Sequence, residues 1–301
     1  MNKVDKIWMN GALIDWDAAQ VHVLTHAIHY GSSAFEGVRF YETVKGPAIF
    51  RLQEHTARLF QSAKALAMEI PFTAEQLNQA TIDLINANAI PAGYIRPIVF
   101  YGYGKMGLYP KGASIDTVIA VWPWAKYLAK DAVKVKISSF MRIHPKSTIA
   151  TAKLGGHYIN SIMASLEAHG EGFDEALLLD FEGQIAEGPG ENIFYIKDQT
   201  LYTPPQGSIL CGITRDSVMK ICADKGLKVI EKKFGVDELI ESDECFFTGT
   251  AAEITAIEQI DNHKIKNALG PITQEIKETY LNAVHGKIPE YQTWLTYTKN
   301  V

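Results

Sequence analysis

Residues 175–203 read EALLLDFEGQIAEGPGENIFYIKDQTLYT. Glu175 to Ile185 has the form of an apolar strand, a turn at Gly183 and a returning strand. Asn192 to Thr203 repeats the form with Asp198-Gln199 at the turn. Hairpins in succession do not alternate strand and helix as a doubly wound sheet would. Downstream, Thr214 to Gly226 reads as a helix and Leu227 to Phe234 as a strand. Pro271 then opens a last helix with Ile272, Ile276, Tyr280 and Val284 on one face. Upstream, Val133, Val135 and Ile137 alternate as in a half-buried strand, and Ile159, Ile162, Met163 and Leu166 form a helical stripe that ends at Gly170.

The first half mixes the same elements. Asn10-Gly11 between apolar stretches predicts a hairpin within Lys6 to Trp16. Apolar residues at helical spacing run from Leu52 to Met68, with Pro71 as the stop. Thr73-Ala74-Glu75-Gln76 has the form of a capping box, opening a helix with Leu77, Leu84 and Ile85 inside. Tyr94 to Gly102 and Asp116 to Trp124 read as strands. The class is α+β. A chain of 301 residues is long for one core, and the expected division is a small domain over 1–124, a linker at 125–132 and a larger β-rich domain over 133–301.

Composition excludes several classes. The chain is 47% apolar and 21% charged, as ordinary globular proteins are. At net charge −5, with no run of Lys and Arg, no nucleic-acid or membrane patch is expected. Cys211, Cys222 and Cys245 form no Cys-x-x-Cys pair, so neither a disulfide framework nor a zinc site is indicated, and a reducing cytoplasm fits. Met1 to Lys6 carries charges and leads straight into a strand, so no signal peptide is expected. No apolar run approaches the ~18 residues that would span a bilayer.

Two motifs carry less than they promise. Gly102-Tyr-Gly-Lys-Met-Gly107 matches G-x-G-x-x-G, but Leu108-Tyr-Pro-Lys-Gly112 follows it where a dinucleotide site needs a helix. A glycine-rich loop is expected there. His22, His26 and His29 lie at helical spacing without a second cluster of ligands, so no metal site is expected.

Four other segments carry chemistry. In Thr148-Ile-Ala-Thr-Ala-Lys153-Leu-Gly-Gly-His-Tyr158, a lysine stands alone among small and apolar neighbours. Desolvation favours its neutral amine, which can attack an aldehyde. Gly155-Gly156 would let a bulky ring approach the backbone. In Ala186-Glu187-Gly-Pro-Gly-Glu191-Asn192, two carboxylates flank a tight turn, and one of them could pair with a protonated pyridine nitrogen. Gly212-Ile213-Thr214 at a helix start is a phosphate cradle or an ordinary threonine cap. Thr248 to Glu253 sets small residues at a strand end, which frees amides for an anion or makes a plain turn. Arg96, one of six arginines, lies in an otherwise apolar strand, where burial is expensive unless it meets an anion.

Taken in order along the chain, these segments resemble one family. His26-Ala-Ile-His-Tyr30-Gly31, Phe35-Glu-Gly37, Glu54-His55 with Arg58, Tyr94-x-Arg96, Lys153-x-Gly-Gly-x-Tyr158, Glu187-Gly-x-Gly-Glu-Asn192, Gly212-Ile-Thr-Arg215 and Gly249-Thr-Ala-Ala-Glu253 together resemble the fold-type IV enzymes that depend on pyridoxal 5′-phosphate (PLP), and among them the branched-chain amino acid aminotransferases. The match runs from about Lys6 to the last helix. It implies the two-domain D-amino acid aminotransferase-like architecture, with PLP bound in the larger domain.

Carried over residue by residue, it implies that Lys153 bonds the cofactor and shuttles the substrate Cα proton. Glu187 would pair with the ring nitrogen, Tyr158 with the ring hydroxyl, and Arg58, Ile213 and Thr214 with the phosphate. Gly190, Glu191, Asn192 and Thr250 would complete the cofactor site. Thr250 and Ala251 would offer amides to the substrate carboxylate near Tyr94, and Arg96 would receive the side-chain carboxylate of glutamate. Phe35, Gly37 and Tyr127 would wall the side-chain pocket, and Tyr30 would reach it from a neighbouring subunit, making a homodimer the smallest assembly. Tyr103, Met106 and Leu108 would belong to a substrate loop. Cys211 and Pro189 depart from the residues usual in the family. The rivals are a D-amino acid aminotransferase or an aminodeoxychorismate lyase of the same fold, and a PLP carrier without catalysis.

Overall fold

Asn10 and Gly11 both adopt positive φ, at 50° and 96°, and fold Lys6–Met9 back on Ala12–Asp15 as the turn chemistry requires. The structure is a computed structural model and describes residues 3–124 and 130–299. The chain divides into two compact units. One comprises the described residues of Met1–Ala125, Ala152–His157 and Ala283–Val301; the other comprises those of Lys126–Thr151 and Tyr158–Asn282.

In the first unit the hairpin joins an antiparallel sheet. The strands run in the order Leu295–Tyr297, Gly46–Phe50, Val38–Thr43, Gly93–Tyr101, Ile115–Trp122, Lys6–Met9 and Ala12–Asp15, and Ser33–Phe35 pairs with Gly93–Tyr101. Helices Leu52–Ala65 and Ala74–Asn88 contribute Leu59, Ala63, Leu77, Leu84 and Ile85 to the same core as Val38, Phe40, Ile95 and Val121. Both halves of the capping box form at Thr73: its hydroxyl accepts from Gln76 N, and Gln76 Oε1 accepts from Thr73 N. The first helix stops three residues short of the apolar pattern. Ala67 turns to φ 54°, its N–H donates to Lys64 O and that of Met68 to Ala63 O, so Met68 stays in the core after the helix has ended.

The expected division differs from this in three respects. Ala283–Val301 lies in the first unit, because Leu295–Tyr297 supplies ladder partners to the edge of Gly46–Phe50. Ala152–His157 lies there too, bridged through Leu154 to Ala34, which takes Lys153 out of the domain expected to bind PLP. With these segments moved, the units are close to equal in length. Of the expected linker, residues 125–129 lie outside the described residues, and Ala132 already begins a strand.

Among the described residues the second unit has a nine-stranded sheet. Ala132–Ile137 and Glu175–Leu179 run parallel, and Asn192–Lys197, Glu244–Gly249 and Glu253–Ile260 are antiparallel neighbours. Glu175–Leu179 and Ile185–Glu187 form one of the expected hairpins, and Asn192–Lys197 and Thr200–Thr203 the other. Helix Tyr158–Gly170 lies close on its sheet through Ser161, Ala164 and Ala168. Its apolar stripe, Ile159, Ile162, Met163 and Leu166, therefore points away and is 42–68% exposed. Gly102–Gly107 is a loop, tied down by His26, whose Nε2 meets Gly107 O at 2.8 Å while Nδ1 meets Ser32 Oγ at 2.7 Å.

Candidate active site

The candidate residues divide between the two units. In the first, Lys153 is half-buried, less enclosed than its apolar neighbours in sequence suggested. Its backbone is docked: N–H donates to Ser62 Oγ at 2.9 Å, and the carbonyl accepts from Phe35 N at 3.1 Å. Its Nζ lies 5.1 Å from the centre of the Phe35 ring. The two glycines that follow serve this docking. A Cβ on Gly155 would fall 2.2 Å from Ser33 Oγ, and one on Gly31 would fall 2.8 Å from Gly156 Cα. They admit the Ser33 hydroxyl and the backbone of Gly31, where the sequence suggested room for a ring.

Phe35, Glu36 and Gly37 each touch a different candidate. Phe35 lies beneath the Lys153 amine and the Arg96 guanidinium, the latter 4.8 Å from its ring centre. Gly37 leaves room for Tyr94, whose hydroxyl oxygen stands 1.9 Å from where a Cβ would be. Tyr94 cannot easily yield, since its ring packs 5.2 Å from Trp122 and 4.3 Å from Trp124. We expect Gly37→Ala to destabilise the protein by about 1–3 kcal/mol through this overpacking; unchanged denaturant unfolding would refute the reading. Glu36 is fully buried and accepts from Arg58 Nε at 2.6 Å, Arg58 Nη2 at 2.8 Å and His55 Nδ1 at 2.8 Å. Burial alone would raise its carboxyl pKa, but Arg58 and His55 outweigh that and hold it far below the ordinary value.

Arg96 sits on an aromatic bed, with Cζ 5.4 Å from the Tyr94 ring centre and Nη2 3.4 Å from the Tyr94 hydroxyl. Its Nε is buried with no partner among the described residues. Tyr30 is exposed on the helix His26–Tyr30, its ring 4.5 Å from that of His26. Tyr127 lies outside the described residues. Tyr103, Met106 and Leu108 are exposed on the glycine-rich loop.

In the second unit the centre is Glu187, buried at the end of Ile185–Glu187. Its carboxylate accepts from Arg142 Nε at 2.6 Å, Asn192 Nδ2 at 3.0 Å and Leu210 N at 3.1 Å. Asn192 also donates to Leu210 O at 2.9 Å, and its Oδ1 fills the space a Cβ on Gly212 would need. Glu187 is thus tied to the loop that opens helix Ile213–Asp224. Gly212 caps that helix in an extended conformation without a side-chain hydrogen bond. The first turn starts at Ile213, with Thr214 buried inside it, so the threonine is not the cap. A helix N-terminus capped by glycine, with no side-chain acceptor of its own, favours an anion. Gly190 N–H donates to Glu191 Oε2 at 3.0 Å, and a Cβ on Gly249 would fall 3.2 Å from Gly190 O, so this turn adjoins the half-buried turn of Thr250 and Ala251. Tyr158 is half-buried at the start of Tyr158–Gly170.

These donors fit PLP by type: a primary amine for an aldehyde, a donor-tied carboxylate for a ring nitrogen, and an arginine and a helix N-terminus for a phosphate. Arg96 Nε in the first unit and Arg142 Nη1 in the second are buried nitrogens with no partner among the described residues, and each is a donor that an anionic group would satisfy. Against known families, the model for amino-transferase class IV matches residues 33–260.

The chain belongs to the class IV aminotransferases. It is 46% identical to the branched-chain-amino-acid aminotransferase of Pseudomonas aeruginosa and 39% identical to that of Escherichia coli, in each case over 97% of both chains. Its fold matches the branched-chain aminotransferase of the archaeon Thermoproteus uzoniensis, solved with norvaline, with a TM-score of 0.95 at 41% identity over 98% of this chain and 100% of that one. Within the class IV aminotransferases it therefore groups with the branched-chain enzymes. Another solved branched-chain amino acid aminotransferase, 44% identical with a TM-score of 0.96, is complexed with N-(5′-phosphopyridoxyl)-L-glutamate.

The reading of this class IV aminotransferase from sequence assigned no role to Glu36, His55, Ser62 or Arg142. Arg142 carried a usable signal. It is one of six arginines, and a rare cation in apolar surroundings needs an anion at 142 as it does at 96. Ser62 carried none, since its hydroxyl bonds the backbone of a residue 91 positions away.

Proposed function

We propose that this chain is a PLP-dependent branched-chain-amino-acid aminotransferase. It moves the α-amino group of L-leucine, L-isoleucine or L-valine to 2-oxoglutarate, giving the branched 2-oxo acid and L-glutamate in a ping-pong cycle of two half-reactions. The observation that carries this is Arg96, a cation laid on the Phe35 and Tyr94 rings, with no partner for Nε among the described residues. The side-chain subsite must take an aliphatic group in one half-reaction and a carboxylate in the other. An aromatic wall with one guanidinium in it serves both.

PLP, when bound, supplies an aldehyde that exchanges with amino groups and a ring that draws electron density from the substrate Cα. In our reading Lys153 holds the cofactor and moves the proton at Cα. Glu187 keeps a proton on the ring nitrogen, and Arg142 and Asn192 aim it. Tyr158 bonds the ring hydroxyl. Arg58, Ile213 and Thr214 hold the phosphate, and Gly190, Glu191 and Thr250 complete the cofactor contacts. Thr250 and Ala251 offer amides to the substrate carboxylate, Tyr94 is a further substrate contact, and Phe35, Gly37 and Tyr127 wall the side chain.

The test is the visible spectrum of the purified protein in each half-reaction. L-Leucine and L-glutamate should each convert the cofactor, and D-alanine should not. Conversion by D-alanine alone would favour the D-amino acid aminotransferase, and pyruvate release from aminodeoxychorismate without an amino acceptor would favour the lyase.

The assembly we propose is at least a homodimer, with Tyr30 reaching the partner's substrate subsite. The exposed Tyr30 and the outward stripe of Tyr158–Gly170 support association of copies. A monomer mass by sedimentation at micromolar concentration would contradict it. We read the compartment as cytoplasmic, because Cys211, Cys222 and Cys245 form no disulfide among the described residues.

A further inference from the structure

We propose that Glu36, with His55, is a positioning residue for the phosphate end of the cofactor site, holding the Arg58 guanidinium in one plane so that phosphate meets an oriented donor edge. The inference rests on the reading of Arg58 as a phosphate-binding residue.

The geometry is a fork. Arg58 Nε and Nη2 meet the two oxygens of one carboxylate at 2.6 and 2.8 Å, which fixes both the direction and the roll of the guanidinium. His55 and Arg58 are three residues apart on helix Leu52–Ala65 and so share a face. Glu36 comes from the short link between Ser33–Phe35 and Val38–Thr43, and its N–H donates to Pro97 O at 2.8 Å. Its carboxylate cannot follow a wandering arginine, because its own backbone is pinned to the central strand of the sheet.

Stability gives little reason for this arrangement. A buried ion pair does no better than apolar residues of the same volume, and the helix already has Leu52, Leu59 and Ala63 in the core. A charged group kept there at that cost is explained if its direction matters to a ligand. His55 adds no net charge. Its pKa is held below the ordinary value, first by burial and then by Arg58 and Lys153, against the pull of Glu36. The neutral ring donates through Nδ1, and Glu36 and Arg58 cancel. What the cluster offers a phosphate is alignment more than net charge.

The test compares PLP with pyridoxal, which lacks the phosphate, by quenching of tryptophan fluorescence in the full-length protein. Wild type should prefer PLP strongly. Glu36→Gln should lose about tenfold to hundredfold in PLP affinity and leave pyridoxal affinity nearly unchanged, with Glu36→Asp recovering part of the loss. Equal losses for both ligands would assign Glu36 a merely structural role and overturn the proposal, as would no loss for either. If Glu36→Gln does not fold, His55→Leu takes its place. It removes one donor to Glu36 without stranding a charge and should give a smaller loss confined to PLP; a loss shared with pyridoxal, or none, overturns the proposal. Arg58→Ala separates the two readings. If it leaves the preference for PLP intact, Arg58 does not hold the phosphate, and the proposal falls with that assignment. If it erases the preference while neither Glu36→Gln nor His55→Leu changes it, Arg58 stands and the positioning role falls.

Discussion

Lys153→Ala should end amino-group exchange while leaving the fold intact. The fold survives because the segment is held by its backbone. The Lys153 N–H bonds Ser62 Oγ, its carbonyl accepts from Phe35 N, Leu154 bridges Ala34, and Gly156 N–H donates to Gly31 O. An alanine keeps all four contacts and exposes no buried charge, so thermal unfolding should move by no more than about 1 kcal/mol. The chemistry does not survive, because one amine serves two roles in the proposed reaction. A positioned acid–base group is worth about 10²–10⁴ in rate, and loss of the covalent attachment adds to that. Turnover should fall by at least about 10⁴-fold. Single-turnover mixing with L-glutamate, followed in the visible region, measures it directly. A variant that still converted cofactor at the wild-type rate would remove Lys153 from the mechanism and with it the reading of the other site residues.

Legibility in the sequence followed the distance over which each feature is decided. Turns and caps are local. Asn10-Gly11, Gly183, Asp198-Gln199 and Thr73 with Gln76 all formed where the residues predicted. Placement was harder where the deciding partner is remote. The stripe on Tyr158–Gly170 was plain as a period, but its direction was set by Ala164 and Ala168, small enough to lie close on Ala176 and Leu178. Residues 283–301 belong with the first unit for a reason held in Gly46–Phe50. The same holds for the site. Residues in the family's motifs could be named one at a time, but Glu36 is bonded to Arg58, 22 positions away, and Arg142 to Glu187, 45 positions away. Such pairings leave no spacing to read. Gly155-Gly156 was recognised as a place of close approach; what approaches proved to be the backbone of Gly31 and the Ser33 hydroxyl.

Arg96→Leu should separate the two substrates of one active site. Glutamate and leucine share an α-amino group and an α-carboxylate and differ in whether the side chain ends in a charge. In the proposed reading that charge meets Arg96, whose guanidinium lies 4.8 Å from the Phe35 ring centre and 5.4 Å from that of Tyr94. With leucine at 96, the carboxylate of glutamate must lie against apolar surface unpaired, and breaking a buried ion pair by removing one partner costs about 3–5 kcal/mol. That corresponds to a fall of roughly 10²- to 10³-fold or more in kcat/KM for glutamate. The leucine half-reaction loses nothing of the kind. Its side chain gains an apolar neighbour in place of a cation, and its kcat/KM should stay within about threefold of wild type, since a change of this kind at an apolar contact is worth around 1 kcal/mol or less. The strand itself should tolerate the change, because Arg96 Nε has no partner among the described residues to be stranded and leucine removes an unmet donor from the sheet. Measuring the two half-reactions separately is essential, since a steady-state assay would report the glutamate defect in both directions. Parallel losses for leucine and glutamate would mean that Arg96 shapes the wall without receiving the carboxylate, and the cation for the second charge would have to be sought elsewhere.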